Sequence, residues 1–429
     1  MNINNIPPLK DIFSEFDSVL LTDPSITDPS VTESLTLPHR DDIISKTDII
    51  SIYESMIHII DECMINNISY IKKMDFEEGL KDYVICNIGI FIEGLYQINE
   101  HQEFIVQLID DIYLYARKEY FTTNMPPRAY SDTFIRKIPN IEKMSIIIDE
   151  LRNKPQPEQR TDDWYLFRYN LLTASSIWKA FGSQSMKNQL IYEKCVPLNL
   201  DKYKSINLDS PLHHGQKYEE LSIMYYEQIY ETKVEDFGCI KHDKYAYIGA
   251  SPDGINVDPK SNRYGRMLEI KNTVSREITG IPKEEYWIQM QVQMETCGLN
   301  ECDFLETQFI EYNSYDEFVA EPSDNMKGVI LCFMENGKPL YKYMPLCITD
   351  LTEISEWENN MIDMTSNVRI TWVTTHYWKL NKVSCVLVLR NKYWFKHVIS
   401  EIEDVWNHVA KERITGCEHR SPKKIIKKK

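Results

Sequence analysis

The sequence predicts an α/β protein, with a mixed or mostly antiparallel sheet flanked by helices over residues 155–415, preceded by a mainly helical unit. Three observations carry this expectation. Before residue 150, apolar residues recur at i, i+3 and i+4, as in Ile50, Tyr53, Met56, Ile57 and Ile60. After residue 160, helical stretches are interleaved with short runs that alternate apolar and polar positions. The charge divides at the same place: residues 1–150 carry 12 Lys and Arg against 26 Asp and Glu, and the remaining 279 carry 36 against 39, within a net charge of −17.

Taken in order, "LTDPSITDPSVTES" within 21–42 is a short Asp-Pro-Ser repeat and reads as turns or a linker. Helices are expected over 47–73 and 77–120, and the acidic unit is expected to span 1–150. "RNKPQPEQR" is polar and proline-rich, so 151–160 reads as a linker. "DDWYLFRYNLLTASSIWKAFG" predicts a helix, a break and a second helix capped by Thr173, Ser175 or Ser176. "SPLHHGQKYEELSIMYYEQIY" predicts a long helix. Strands follow at "YAYIGA" and "RMLEIK", then a helix at "PKEEYWIQMQVQMETCG" stopped by Gly298. "CDFLETQFI", "KGVILCFM", "KPLYKYMPL" and "SCVLVLRN" read as strands, the middle pair joined at Asn336-Gly337. A closing helix runs to about residue 415, and 416–429 reads as a basic, disordered tail.

The composition, 43% apolar and 26% charged, is that of an ordinary globular chain long enough for two or three domains. No apolar run approaches the roughly 20 residues of a membrane helix. The start, "MNINNIPPLKDIF", lacks the features of a signal peptide, and the ten cysteines are scattered without a CxxC pair. Reduced thiols and an intracellular location, in the cytoplasm or nucleus of a host cell if the source is viral, are therefore expected. Cys297 and Cys302 have no companion His or Cys cluster for zinc. The acidic first third would repel nucleic acid, so any DNA contact is expected after residue 150.

The chemistry gathers in "ASPDGINVDPKSNRYGRMLEIK". Asp253 sits between turn residues Pro252 and Gly254, where a strand should end. In "RMLEIK", Glu269 and Lys271 face one side and Ile270 the other. Across a hairpin, Asp253 would then lie beside Glu269 and Lys271. Two close carboxylates repel unless one is protonated or a cation lies between them. Oxygen ligands without His or Cys favour Mg²⁺ or Mn²⁺, and a nearby Lys can orient a water. This suits phosphodiester hydrolysis; the plainer reading is a surface Glu–Lys pair on a hairpin.

Five blocks then resemble, in order, the phage lambda exonuclease or YqaJ-type viral recombinase family, a branch of the PD-(D/E)xK nucleases. They are "WYLFRYNLLTAS", "HGQKYEE", "SPDG", "LEIK" and "YWIQMQVQM", spanning Trp164 to about residue 310. The resemblance implies a restriction-endonuclease-like core, with the nuclease domain placed at 161–415. It implies Asp253 and Glu269 as central metal ligands, the main-chain carbonyl of Ile270 as another, and Glu219 as a third acid for a second ion. Lys271 would position the attacking water, and Gln289 would be the active-site glutamine. Arg168 and Ser175 would hold a 5′-phosphate, which suits a forked guanidinium and a hydroxyl at a helix N-terminus. Gln291 reads as packing or local bonding, Trp164 as core, and His213 and His214 as packing. The loop between Asp253 and Glu269 is longer than the family's hairpin; Lys260, Arg263 and Arg266 on it could touch DNA or simply tolerate an insertion.

The implied function is a two-ion deoxyribonuclease dependent on Mg²⁺ or Mn²⁺, a 5′→3′ exonuclease resecting double-stranded DNA ends for recombination, repair or viral genome processing. An annealing protein and further copies of this chain are the implied partners. The alternatives are an endonuclease or single-strand nuclease of the same superfamily, or a non-catalytic DNA-binding recombination scaffold. The Ile-, Asn-, Lys- and Tyr-rich composition suggests an AT-rich genome, such as that of a phage or large DNA virus.

Overall fold

The computed structural model describes residues 44–89, 92–94, 102–131, 139–200, 210–322 and 325–421. The Asp-Pro-Ser repeat and residues 422–429 of the basic tail lie outside them.

The first helices form where the apolar spacing predicts. Ser45 caps α1 (Lys46–Asn67) through its hydroxyl, and Ile49, Ile52, Tyr53, Met56, Ile60, Cys63 and Met64 bury one face. A 3₁₀ turn follows at Ile68–Lys72, then α2 (Phe76–Asn87) and α3 (Gln102–Thr123). Strand β1 (Tyr130–Ser131) and α4 (Ile141–Asn153) lead to the rest of the chain.

There the order is α5 (Asp162–Tyr169), β2 (Leu172–Thr173), the single turn α6 (Ala174–Ile177), α7 (Gln184–Cys195) and α8 (Pro211–Tyr230). Short strands β3 (Val234–Glu235), β4 (Ile240–Lys241), β5 (Ile248–Ala250) and β6 (Gly254–Asn256) precede β7 (Met267–Asn272). Then come α9 (Glu284–Cys297), β8 (Glu301–Glu311), α10 (Tyr315–Ala320), β9 (Lys327–Glu335) and β10 (Lys338–Tyr343). The chain closes with α11 (Leu351–Thr365), β11 (Ile370–Leu389) and α12 (Lys392–Thr415).

A mixed eight-stranded sheet runs β10-β9-β11-β8-β7-β6-β3, with β1 also on β11. Among the described residues only β7 and β8 are parallel in it, and α9 is their crossover. A small second sheet runs β2-β5-β4. The β9–β10 hairpin turns at Asn336 (φ 50°) and Gly337 (φ 79°), the double positive φ of a type I′ turn. Gly298 ends α9 at φ 71°. The expected strand "SCVLVLRN" is the last part of a 20-residue β11, which pairs with β9 and then β8 and shifts register at 372/374 and 380/382. Bulges of this type let one long strand bend across a twisted sheet.

The boundary near residue 150 divides the chain by charge and order but not by packing. One continuous buried cluster runs from Ile44, Met56 and Phe76 through Trp287 and Phe304 to Phe395 and Val409. Arg128 is 3% exposed and donates to the carbonyls of Lys72 and Pro282, while its own carbonyl accepts from Trp287 Nε1 at 2.9 Å. Lys72 and Lys73 pair with Glu284. The linker is pinned: Gln156 bonds the carbonyl of Leu151 and the N–H of Gly238. At the far end, residues 418–420 form a 3₁₀ turn, with Arg420 paired to Glu412 at 2.6 Å. The first residues of the expected disordered tail are therefore part of the fold.

The long loop does not offer its arginines to DNA. Arg263 and Arg266 are buried and both pair with Asp303, which is 0% exposed on β8; Tyr226 donates to the same carboxylate at 2.6 Å. Of the three cations expected there, Lys260 alone is exposed. Asp303→Ala would leave the Arg263 guanidinium buried without an acid and Arg266 with Glu301 alone. It is expected to cost about 3–5 kcal/mol, and Asp303→Asn less, read as thermal midpoints. A loss below about 1 kcal/mol for the alanine variant would show the arginines escaping to solvent.

Candidate active site

Strand β7 lies inside the sheet and is covered on both faces. Leu268 and Ile270 pack with Tyr226 of α8 and with Leu305. Met267 joins the cluster that contains Ile288 and Val292 of α9, and Glu269 faces the same helix. The two-residue period of a strand thus sends the acid and Lys271 to the α9 side.

The partner strand differs from the expectation. "YAYIGA" supplies β5, which belongs to the small sheet; the strand paired with β7 is β6, after the Pro-Asp-Gly. Asp253 therefore stands where a strand begins, at the step from one sheet to the other. The register Gly254↔Leu268 and Ile255↔Met267 carries it opposite Glu269 all the same. A Cβ on Gly254 would come within 2.2 Å of Val234 Cγ1, so glycine lets β3 close here.

Asp253 Oδ2 accepts from the N–H of Ile270 at 2.7 Å. Glu269 is 0% exposed and accepts three side-chain donors: Lys271 Nζ and Gln289 Nε2 (2.8 Å) on Oε1, and Gln293 Nε2 (2.7 Å) on Oε2. Burial pushes the Asp253 carboxyl well above its usual range, and the charges of Glu269 and Glu219 add to this. Burial also raises Glu219, which lies on α8; Asp236 and Glu269 add to the rise and Arg160 opposes it. Burial works against the Lys271 ammonium, but Glu269 and Asp253 outweigh it and hold the group charged. Glu219, Asp253, Glu269 and Lys271 thus share one field that is short of positive charge. Among the described residues no three Asp, Glu, His or Cys side chains are grouped so that together they could hold a metal ion.

Beside this group lies a second polar cluster. Arg168, over the face of Trp164 at 4.4 Å, donates to Ser251 Oγ at 3.1 Å and reaches Ser175 Oγ at 3.5 Å. Lys194 Nζ donates to the carbonyl of Arg168 at 2.8 Å; burial pushes this ammonium down to about 8, and the charges of Arg168 and Arg413 add to it. Trp164 is half-buried and stacks on the guanidinium, so it is not the core residue expected. The helix that Ser175 was to open is one turn of four residues, continued as a 3₁₀ turn, so little dipole backs the hydroxyl. Thr173 stands at its N-cap without a side-chain capping bond.

Two residues of the site escaped the sequence reading. Ser251 immediately precedes Pro252-Asp253, and its tie to Arg168 spans 83 residues. Gln293 was legible as the i+4 partner of Gln289 on one helix face. Gln291 faces away, bonding the carbonyl of Leu389 and the N–H of Asn391. His213 bonds Tyr341 and His214 packs at a tilt against Tyr218, so neither histidine joins the acids.

Residues 163–300 match the YqaJ-like viral recombinase domain, a span that holds every site residue from Arg168 to Gln293. An uncharacterised protein of Acanthamoeba polyphaga mimivirus is 29% identical over 307 residues, covering 61% of this chain and 54% of its own length. This chain thus spans about half of that relative. Among solved structures, an alkaline exonuclease of Laribacter hongkongensis aligns at a TM-score of 0.35 and 18% identity, covering 59% of this chain and 94% of that one. A phage-related exonuclease of Haemophilus somnus aligns at 0.30 and 15%, covering 58% and 96%. Among the described residues no helix is long and apolar enough to cross a membrane.

Proposed function

We propose that this protein is a metal-dependent deoxyribonuclease that resects double-stranded DNA from phosphorylated 5′ ends, as a viral recombination or genome-processing exonuclease would. The observation that carries it is the adjacency of two clusters on one short segment. Ser251 meets the Arg168 fork, and two residues later Asp253 stands opposite Glu269 and Lys271. One cluster suits a terminal phosphate and the other a scissile diester.

The acids fit a hard divalent cation such as Mg²⁺ or Mn²⁺, because their donors are oxygens and three carboxyls face the one ammonium of Lys271. Asp253 and Glu269 would hold it, with the Ile270 carbonyl and Glu219 as further ligands, of a second ion in the case of Glu219. A bound cation of this type polarises a phosphate oxygen and acidifies its water. The chain's own residues do the rest. Gln289 and Gln293 hold the Glu269 carboxylate in one orientation. Lys271 keeps an ammonium beside it to orient a water and neutralise charge in the transition state. Arg168 and Ser175 hold the end phosphate.

The test is digestion of linear duplexes labelled on either strand, with Mg²⁺ and with a chelator. Release from 5′ ends only, abolished by chelation, is expected. Cutting of covalently closed circles would replace the exonuclease by an endonuclease. Binding without turnover would leave a scaffold.

Arg168→Ala is expected to lose the preference for a 5′-phosphate over a 5′-hydroxyl while retaining cleavage. A terminal phosphate carries more charge than a diester, and a charge-assisted contact to it contributes roughly 1.5–3 kcal/mol, about ten- to a hundred-fold. Initial rates on matched ends measure it; equal rates in the wild type would remove Arg168 from end sensing.

A further inference from the structure

We propose that Gln293 is a positioning residue that ties the end-phosphate pocket to the acid pair, so that filling the pocket sets the alignment of Glu269. The inference rests on the reading of Arg168 and its serines as an end sensor.

Gln293 lies on α9 and is 0% exposed. Its Nε2 donates to Glu269 Oε2 at 2.7 Å and to the main-chain carbonyl of Ser251 at 3.1 Å. Both neighbours are acceptors only, so the amide has one usable orientation; the flipped one would set three oxygens together. Ser251 Oγ in turn accepts from Arg168 at 3.1 Å. Arg168, Ser251, Gln293 and Glu269 thus form one chain of hydrogen bonds, with each link at 3.1 Å or less. The first two links are part-buried and the last, at Glu269, is buried, so a shift of the Ser251 backbone is felt at the carboxylate.

Gln289 supplies an internal contrast. It holds the other oxygen of the same carboxylate but makes no hydrogen bond to the pocket segment among the described residues. A residue that only fixed Glu269 would behave as Gln289 does. Gln293 also bears a cost that space-filling does not require, because its Oε1 is buried without a donor among the described residues. Gln293→Met removes that orphan together with the two bonds, so the variant is expected to fold.

The experiment compares single-turnover cleavage of 5′-phosphorylated and 5′-hydroxyl duplexes by the wild type, Gln293→Met and Gln289→Met, with end affinity and thermal midpoint measured alongside. Gln289→Met is expected to slow both ends by a similar factor and keep their ratio. Gln293→Met is expected to lower the phosphate-to-hydroxyl rate ratio about tenfold, with affinity for the phosphorylated end changed less than about twofold. A ratio preserved in Gln293→Met, or a loss carried by affinity instead of rate, overturns the inference and leaves the end-sensor reading standing. Equal wild-type rates on both ends would sink that reading, and this inference with it. Should Gln293→Met fail to fold, the ratio is read in Gln293→Asn, whose shorter amide cannot span both acceptors. The same drop is expected there, and an unchanged ratio refutes the coupling.

Discussion

Glu269→Gln is expected to lower hydrolysis by about a thousandfold or more while leaving the fold and DNA binding in place. The side chain keeps its size, and one amide oxygen remains for Gln289 or Gln293 to reach. What disappears is the charge that faces Asp253 and Lys271 from the α9 side of β7. Lys271→Ala is expected to match it in rate and to exceed it in instability. It leaves Glu269, 0% exposed, with two neutral donors and no cation. Breaking a buried pair in that way costs about 3–5 kcal/mol. Rates on a labelled duplex, thermal midpoints and filter binding separate the two effects. Wild-type turnover in purified Glu269→Gln would remove the catalytic role from this strand.

A chain starting at residue 153 is expected to unfold or aggregate, although the charge and the proline-rich segment suggest a boundary there. The truncation takes away the Arg128 carbonyl that satisfies the Trp287 indole, and the lysines that pair with Glu284 at the start of α9. It also removes Met144 and Ser145, which pack on Gly265 and bond Tyr264, and the β1 pairing with β11. Each large apolar side chain exposed costs about 1.5–3 kcal/mol, against a total stability of about 5–15 kcal/mol for a typical domain. Losing several at once exceeds what the remainder can bear. Soluble yield and a melting curve decide it. A cooperative melt within a few degrees of the full chain, with nuclease activity, would establish the acidic helices as a separable domain.

The sequence by itself determined what depends on near neighbours. Alternation in "RMLEIK" sent Glu269 and Lys271 to one face, because a strand repeats every two residues. Gly298 and Asn336-Gly337 marked a helix stop and a hairpin, because each answers to the backbone within a few residues. Only the tertiary structure decided which distant segments meet. It paired β7 with 254–256 instead of 245–250, because the small sheet claims Ile248–Ala250. It buried Arg263 and Arg266 on Asp303, across 40 and 37 residues, where composition alone allowed a DNA-facing loop. It joined Arg168 to Ser251 across 83 residues and laid the 3₁₀ turn Ile68–Lys72 of the acidic unit on α9 and α12. Such contacts form when long loops close around a common core, and loop closure depends only weakly on the residues between the ends. Local pattern therefore carries no record of them.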